Sequence, residues 1–169
     1  LDNNSGNSNS KDRISLLDKV LKVIPSERIG LVLADREFIG QKWLKYLKDK
    51  GICFCVRVPK SHKIERTDGQ VLYASDIAKN CPKGTYLADC MVDGVWGNVY
   101  IKPLEDDDIL FVFGTCQAKY LGKLYKNRWV IEVCFQNLKT RGFNLEHTHM
   151  NILERISKLI AMVSFAYAF

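Results

Sequence analysis

Ile29-Gly30-Leu31-Val32-Leu33-Ala34-Asp35 is a continuous apolar run stopped by a carboxylate. Such a run suits a strand covered on both faces, as in a parallel sheet, where polar alternation disappears. The next segment, Gly40 to Lys50, carries Trp43, Leu44 and Leu47 at helical spacing, and Gly51 stands where a helix C-cap is expected. Ile52 to Val58 then reads as a second buried strand, closed by Pro59. Strand, helix and strand within roughly thirty residues make a βαβ unit, with a right-handed crossover expected. That unit sets the class as α/β.

Outward from it, the pattern changes twice. Upstream, Ile14, Leu17, Val20, Leu21 and Ile24 predict a helix from Asp12 or Arg13, ended by Pro25. The Asn/Ser-rich residues before it read as a linker or surface loop. Downstream, short alternating runs are separated by Asp68-Gly69, Lys83-Gly84, Asp93-Gly94 and Gly97-Asn98. Gly84–Val92, Val95–Ile101 and Ile109–Thr115 are expected to be antiparallel strands. Helical spacing returns near Leu121–Lys139 and from about Asn151 to the end. The expected organisation is a linker over 1–12, a first core part over 13–59 and a β-rich insertion over 60–115. Residues 116–169 return to the core as C-terminal helices.

Composition bounds what such a chain can do. At 169 residues and 47% hydrophobic it can bury one domain's core, which excludes disorder for most of its length. Its most apolar stretch, Leu159 to Phe169, is too short for a membrane span, and no signal peptide opens the chain, so a cytoplasmic protein is expected. The chain lacks an initiator Met and stops in mid-helix, as a piece of a longer protein would. A net charge of +6 permits a nucleic-acid partner without demanding one. Six cysteines show no C-x2-C pair, so reduced, buried thiols are expected rather than zinc or disulfides. Cys53 and Cys55 are expected to share one strand face as small apolar side chains.

The chemistry is concentrated in Tyr125-Lys-Asn-Arg128-Trp-Val-Ile-Glu132-Val-Cys-Phe-Gln-Asn-Leu-Lys139. At about 100° per residue, Tyr125, Arg128, Glu132 and Lys139 project from one wedge about 60° wide. Val130, Ile131, Cys134, Phe135 and Leu138 form an apolar arc on the same wheel, expected to face the core. One reading of the stripe is a solvated helix face with an Arg128–Glu132 pair worth about 0.3–0.5 kcal/mol. The other is a metal-binding Glu132 flanked by phosphate-binding cations.

The spacing Y-x2-R-x3-E-x6-K resembles the signature of IS4-type, Tn5-like DDE transposases, as do Phe135–Lys139 and Arg141-Gly142-Phe143. Ala34-Asp35-Arg36-Glu37-Phe38 resembles the motif around that family's second catalytic aspartate. The resemblance covers nearly the whole chain. It implies a ribonuclease H-like core interrupted by the β-rich insertion, with Asp35 and Glu132 as catalytic metal ligands. Two Mg²⁺ ions about 4 Å apart, with Mn²⁺ as a substitute, are the implied cofactors. Tyr125, Arg128 and Lys139 carry over as contacts to DNA phosphates. The implied partners are double-stranded DNA, as transposon ends and target, and a second transposase in a homodimeric paired-end complex. The setting would be the bacterial nucleoid. Trp96 and Trp129 have two readings: core packing, or stacking of a flipped base at a hairpin intermediate.

The family's first catalytic aspartate has no counterpart, because the N-terminal strands that carry it are missing ahead of Asp35. Asp2, Asp12 and Asp18 lie in a linker or a helix. Glu105–Asp108 reads as a solvated acidic turn, since adjacent like charges repel. This polypeptide alone is therefore expected to cleave DNA little or not at all. The alternatives are a decayed DNA-binding module, an interaction domain with an ordinary charged surface, and a ribonuclease H-like nuclease that does not transpose.

Overall fold

A computed structural model describes residues 9–141, 143 and 145–168. The greater part of the expected linker, Asp2, and Gly142 of the Arg-Gly-Phe motif lie outside the described residues. The chain divides into two compact units, Leu1–Asn127 and Arg128–Phe169.

In the first unit, the predicted helix begins at Ser10 rather than at Asp12 or Arg13. The Asn9 side chain accepts the Lys11 and Asp12 backbone N–H groups, and the Asp12 carboxylate accepts that of Asn9, a reciprocal capping box. This is α1 (Ser10–Leu21). It is followed by β1 (Val32–Ala34), α2 (Gln41–Asp49) and β2 (Phe54–Arg57). The end of α2 explains why Gly51 is a glycine. Its φ of +68° is left-handed, and the Ile52 N–H reaches back to the Leu47 carbonyl at 2.9 Å, a Schellman closure. Leu47 and Ile52 are both buried beside it.

β1 and β2 pair in parallel, with Val32 opposite Phe54 and Ala34 opposite Val56. The strands of residues 60–115 extend the same sheet. They are β3 (Lys63–Arg66), β4 (Val71–Tyr73), β5 (Thr85–Val92), β6 (Val95–Pro103) and β7 (Ile109–Gly114). The order is β1-β2-β7-β6-β5-β3-β4, and every pair except β1–β2 is antiparallel. Asp93 and Gly94 both take positive φ, 49° and 70°, and join β5 to β6 as a two-residue hairpin. A short helix that the alternating pattern concealed, α3 (Ala74–Asn80), lies between β4 and β5 and buries Ala74 and Ala78.

Period-two alternation sends Phe54, Val56 and Val58 to one face of the sheet, with Phe111 and Phe113 of β7. There they form the main core with Trp43, Leu44 and Leu47 of α2. The other face carries a smaller cluster of Cys55, Val112, Leu121 and Tyr125, with Leu31, Leu33 and Tyr100 against it. Leu121 and Tyr125 come from α4 (Leu121–Lys126). The expectation of a fully buried Ile29–Ala34 strand is corrected. Only Val32–Ala34 is strand, and of these Ala34 alone is buried, because β1 is the edge of the sheet.

In the second unit lie α5 (Trp129–Gln136), a π-helical turn over Asn137–Arg141, a 3₁₀ turn at Leu145–His147, and α6 (Leu153–Ala168). The single helix expected over Leu121–Lys139 is therefore not found. The i→i−4 ladder gives way to i→i−3 bonds at Asn127 and Ile131, and to π geometry after Gln136. Of the apolar arc expected to face the core, Val130, Ile131 and Phe135 are more than half exposed, while Cys134 and Leu138 are partly buried. Among the described residues no helix is long and apolar enough to cross a membrane.

Candidate active site

Asp35 follows the last residue of β1 and caps the 3₁₀ turn Arg36–Phe38, its Oδ1 accepting the Arg36 N–H at 2.7 Å. That bond fixes the carboxylate at the carboxyl end of the parallel pair, where a side chain can stand clear of the sheet. Tyr125 reaches the same oxygen from α4. Its ring is buried in the smaller core, and its hydroxyl donates to Asp35 Oδ1 at 3.5 Å, long for an O–H donor. The other oxygen, Oδ2, accepts no hydrogen bond among the described residues. Two residues 90 positions apart thus meet at one carboxylate.

Arg57 is the last residue of β2 and follows Val56, the partner of Ala34. It pairs with Asp108 at 2.6 Å. The Ile109 backbone N–H, and then Arg57, hold the Asp108 carboxyl below the usual carboxylate range. Arg57 was not among the residues the sequence singled out, although a lone cation inside the apolar run Ile52–Val58 was a signal. Glu105–Asp107 are exposed, as expected of a solvated turn.

In the second unit, Arg128 Nη2 donates to Glu132 Oε1 at 2.5 Å, the i,i+4 pair that helical spacing required. Glu132 and Lys139 line one cleft of about 390 Å³ with Trp129, Val133 and Gln136. Lys139 sits in the π turn, so the α-helical wheel that joined it to Tyr125 does not hold. A π turn advances each residue by less than the about 100° of an α-helix. The stripe is split: Tyr125 belongs to the first unit, and Arg128, Glu132 and Lys139 to the second.

Both tryptophans with a proposed role are exposed, Trp96 by 41% and Trp129 by 64%, so core packing does not account for them. Cys53 is exposed too, against the expectation of a buried thiol. Cys55 and Cys90 are fully buried, and Cys81, Cys116 and Cys134 are partly so. Burial pushes the Cys55 thiol up to about 12, and it donates to the Leu121 carbonyl.

Hard carboxylate oxygens on Asp35 and Glu132 suit a hard divalent cation. Among the described residues no three His, Cys, Asp or Glu side chains converge as a cation cage. Asp18, on α1, is engaged by the Tyr46 hydroxyl, and Asp12 by the cap of its helix.

Carboxylates set beside cations are the equipment of enzymes that act on phosphate esters. The comparison with known families agrees: residues 4–169 match the transposase DDE domain, and the chain belongs to that family. It is a family of metal-dependent DNA-cutting enzymes, and the mixed α/β architecture is compatible with its ribonuclease H-like fold. No curated protein matches the chain.

Proposed function

We propose that the chain is a catalytic domain of an IS4-type transposase. It cuts the ends of an insertion sequence and joins the freed 3′-hydroxyls to target DNA in the bacterial cytoplasm. The observation that carries this reading is the meeting of Tyr125 with Asp35. The motif resemblance assigns both to one site, and the fold brings them together at a strand end.

Asp35 and Glu132 would hold the divalent ions, Mg²⁺ or Mn²⁺. When bound, these supply Lewis-acid stabilisation and activation of the attacking oxygen. The remaining roles belong to the chain. The Tyr125 hydroxyl, which donates its one proton to Asp35 here, would turn that proton to a neighbouring phosphate oxygen when DNA is bound. Arg128 offers a planar fork that holds Glu132 and can also meet a phosphate, and Lys139 adds a point charge along the cleft. The exposure of Trp96 and Trp129 supports their use as stacking platforms for an unpaired base. Cleavage in a paired-end homodimer follows from the same reading.

The second reading is a decayed transposase chain that binds DNA without cutting it. Strand transfer separates the two. A labelled duplex copied from the DNA flanking the gene is incubated with plasmid, Mg²⁺ and the protein from its complete coding sequence. Label joined to the plasmid is expected. A duplex that is bound but never joined would leave only the DNA-binding reading.

A further inference from the structure

The β2–β7 ladder places two cysteines face to face. Cys55 lies opposite Gly114 and Arg57 opposite Val112. The register continues past the strand ends, because the Thr115 N–H donates to the Phe54 carbonyl at 3.1 Å and the Phe54 N–H to Thr115 Oγ1 at 3.1 Å. The next pair in that register is Cys53 and Cys116. Backbone bonds fall at Phe54–Thr115 and at Val58–Phe111, so Cys53–Cys116 occupies a non-hydrogen-bonded position. At such positions the Cα atoms stand about 4.5 Å apart, within the range a disulfide spans.

The side chains share a face as well. Cys53 alternates with Phe54 onto the side of Cys55, and Cys116 packs against the cluster that contains Cys55. The Cys116 thiol is pushed up by burial and then by the neighbouring Cys53. The exposed Cys53 is the one an oxidant reaches first. Cys55, with its thiol engaged by Leu121, is sequestered from exchange.

We propose that Cys53 and Cys116 form a reversible cross-strand disulfide, a redox clamp tying β2 to the β7–α4 connection. With a peroxide as oxidant, the Cys53 thiolate attacks one peroxide oxygen, giving a sulfenic acid and hydroxide. The Cys116 sulfur then displaces the sulfenic oxygen as water, and the two thiol protons leave in the two waters formed. A dithiol reductant reverses the bond by exchange. The clamp closes a long loop at the root of α4, the helix that carries Tyr125, so the oxidised form is the more heat-resistant.

The test treats the whole chain with hydrogen peroxide, blocks remaining thiols with an alkylating agent, and maps the digested peptides by mass. The expected result is a loss of about 2 Da with the Cys53 peptide joined to the Cys116 peptide. The link should disappear in Cys53→Ser and Cys116→Ser, persist in Cys81→Ser, and be reversed by dithiothreitol. A thermal midpoint raised in the oxidised wild type and unchanged in Cys53→Ser is expected alongside. Cys53 over-oxidised while Cys116 is still alkylated, or Cys53 joined to a second chain, would overturn the proposal.

Discussion

Asp35 was legible because an apolar run stopped by a carboxylate has one obvious place in a sheet, the strand's end. Tyr125 was harder. A helical wheel ranks side chains by angle and cannot show that this ring packs in a core with its hydroxyl turned to a carboxylate 90 residues away. The same blindness applies to Cys53. Alternation puts it on the face of Cys55, but it lies just ahead of β2, where burial depends on what covers that corner. Asp108 shows what an acidic run hides, since it leaves the solvated turn to pair with Arg57. Its folded pKa is lowered, so its contribution to stability is present above the unfolded value, about 4, and is lost as pH falls through the folded value. In urea titrations, Asp108→Asn should therefore be less stable than wild type at pH 7, and the gap should close toward pH 2. A gap of equal size at both pH values would contradict this electrostatic account.

At the scale of elements, the βαβ unit and the three long antiparallel strands were readable from periodicity and turn chemistry. The short helix α3 was not, because seven residues hold too few apolar positions to declare a period. The break after α4 was also hidden. Apolar and polar residues keep helical spacing through Asn127–Arg128 although the hydrogen-bond ladder does not. β7 illustrates a constraint that no pattern signals. Gly114 lies between β2 and β6, opposite Cys55 and Asn98, and a Cβ there would stand 2.3 Å from the Phe54 carbonyl oxygen. Backbone, unlike a flexible side chain, cannot turn aside. Gly114→Ala should cost about 1–3 kcal/mol, the usual price of overpacking, and lower the denaturant midpoint without changing its slope. Gly30→Ala has open space and serves as the control. Equal midpoints for the two variants would show that the sheet relaxes at Gly114.

For the molecule as a whole, the residues singled out by sequence fall in both units, Asp35 and Tyr125 in one and Arg128, Glu132 and Lys139 in the other. Their types and spacing were visible in the sequence, since both motifs are local strings. What brings Tyr125 to Asp35 is tertiary packing, which local pattern does not encode. The central claim is that Asp35 and Glu132 are the carboxylates of a metal-dependent DNA-cutting site. Its most direct test is Mg²⁺-dependent cleavage of a duplex copied from the gene's flanking DNA, by the protein from its complete coding sequence. Wild type, Asp35→Ala and Glu132→Ala are compared, with DNA affinity measured in parallel. The account predicts cleavage by wild type and a loss of at least about 10³-fold in each variant, on the scale of removing a group that stabilises the transition state, with binding retained. Cleavage undiminished in either variant, with the same dependence on Mg²⁺, would contradict it.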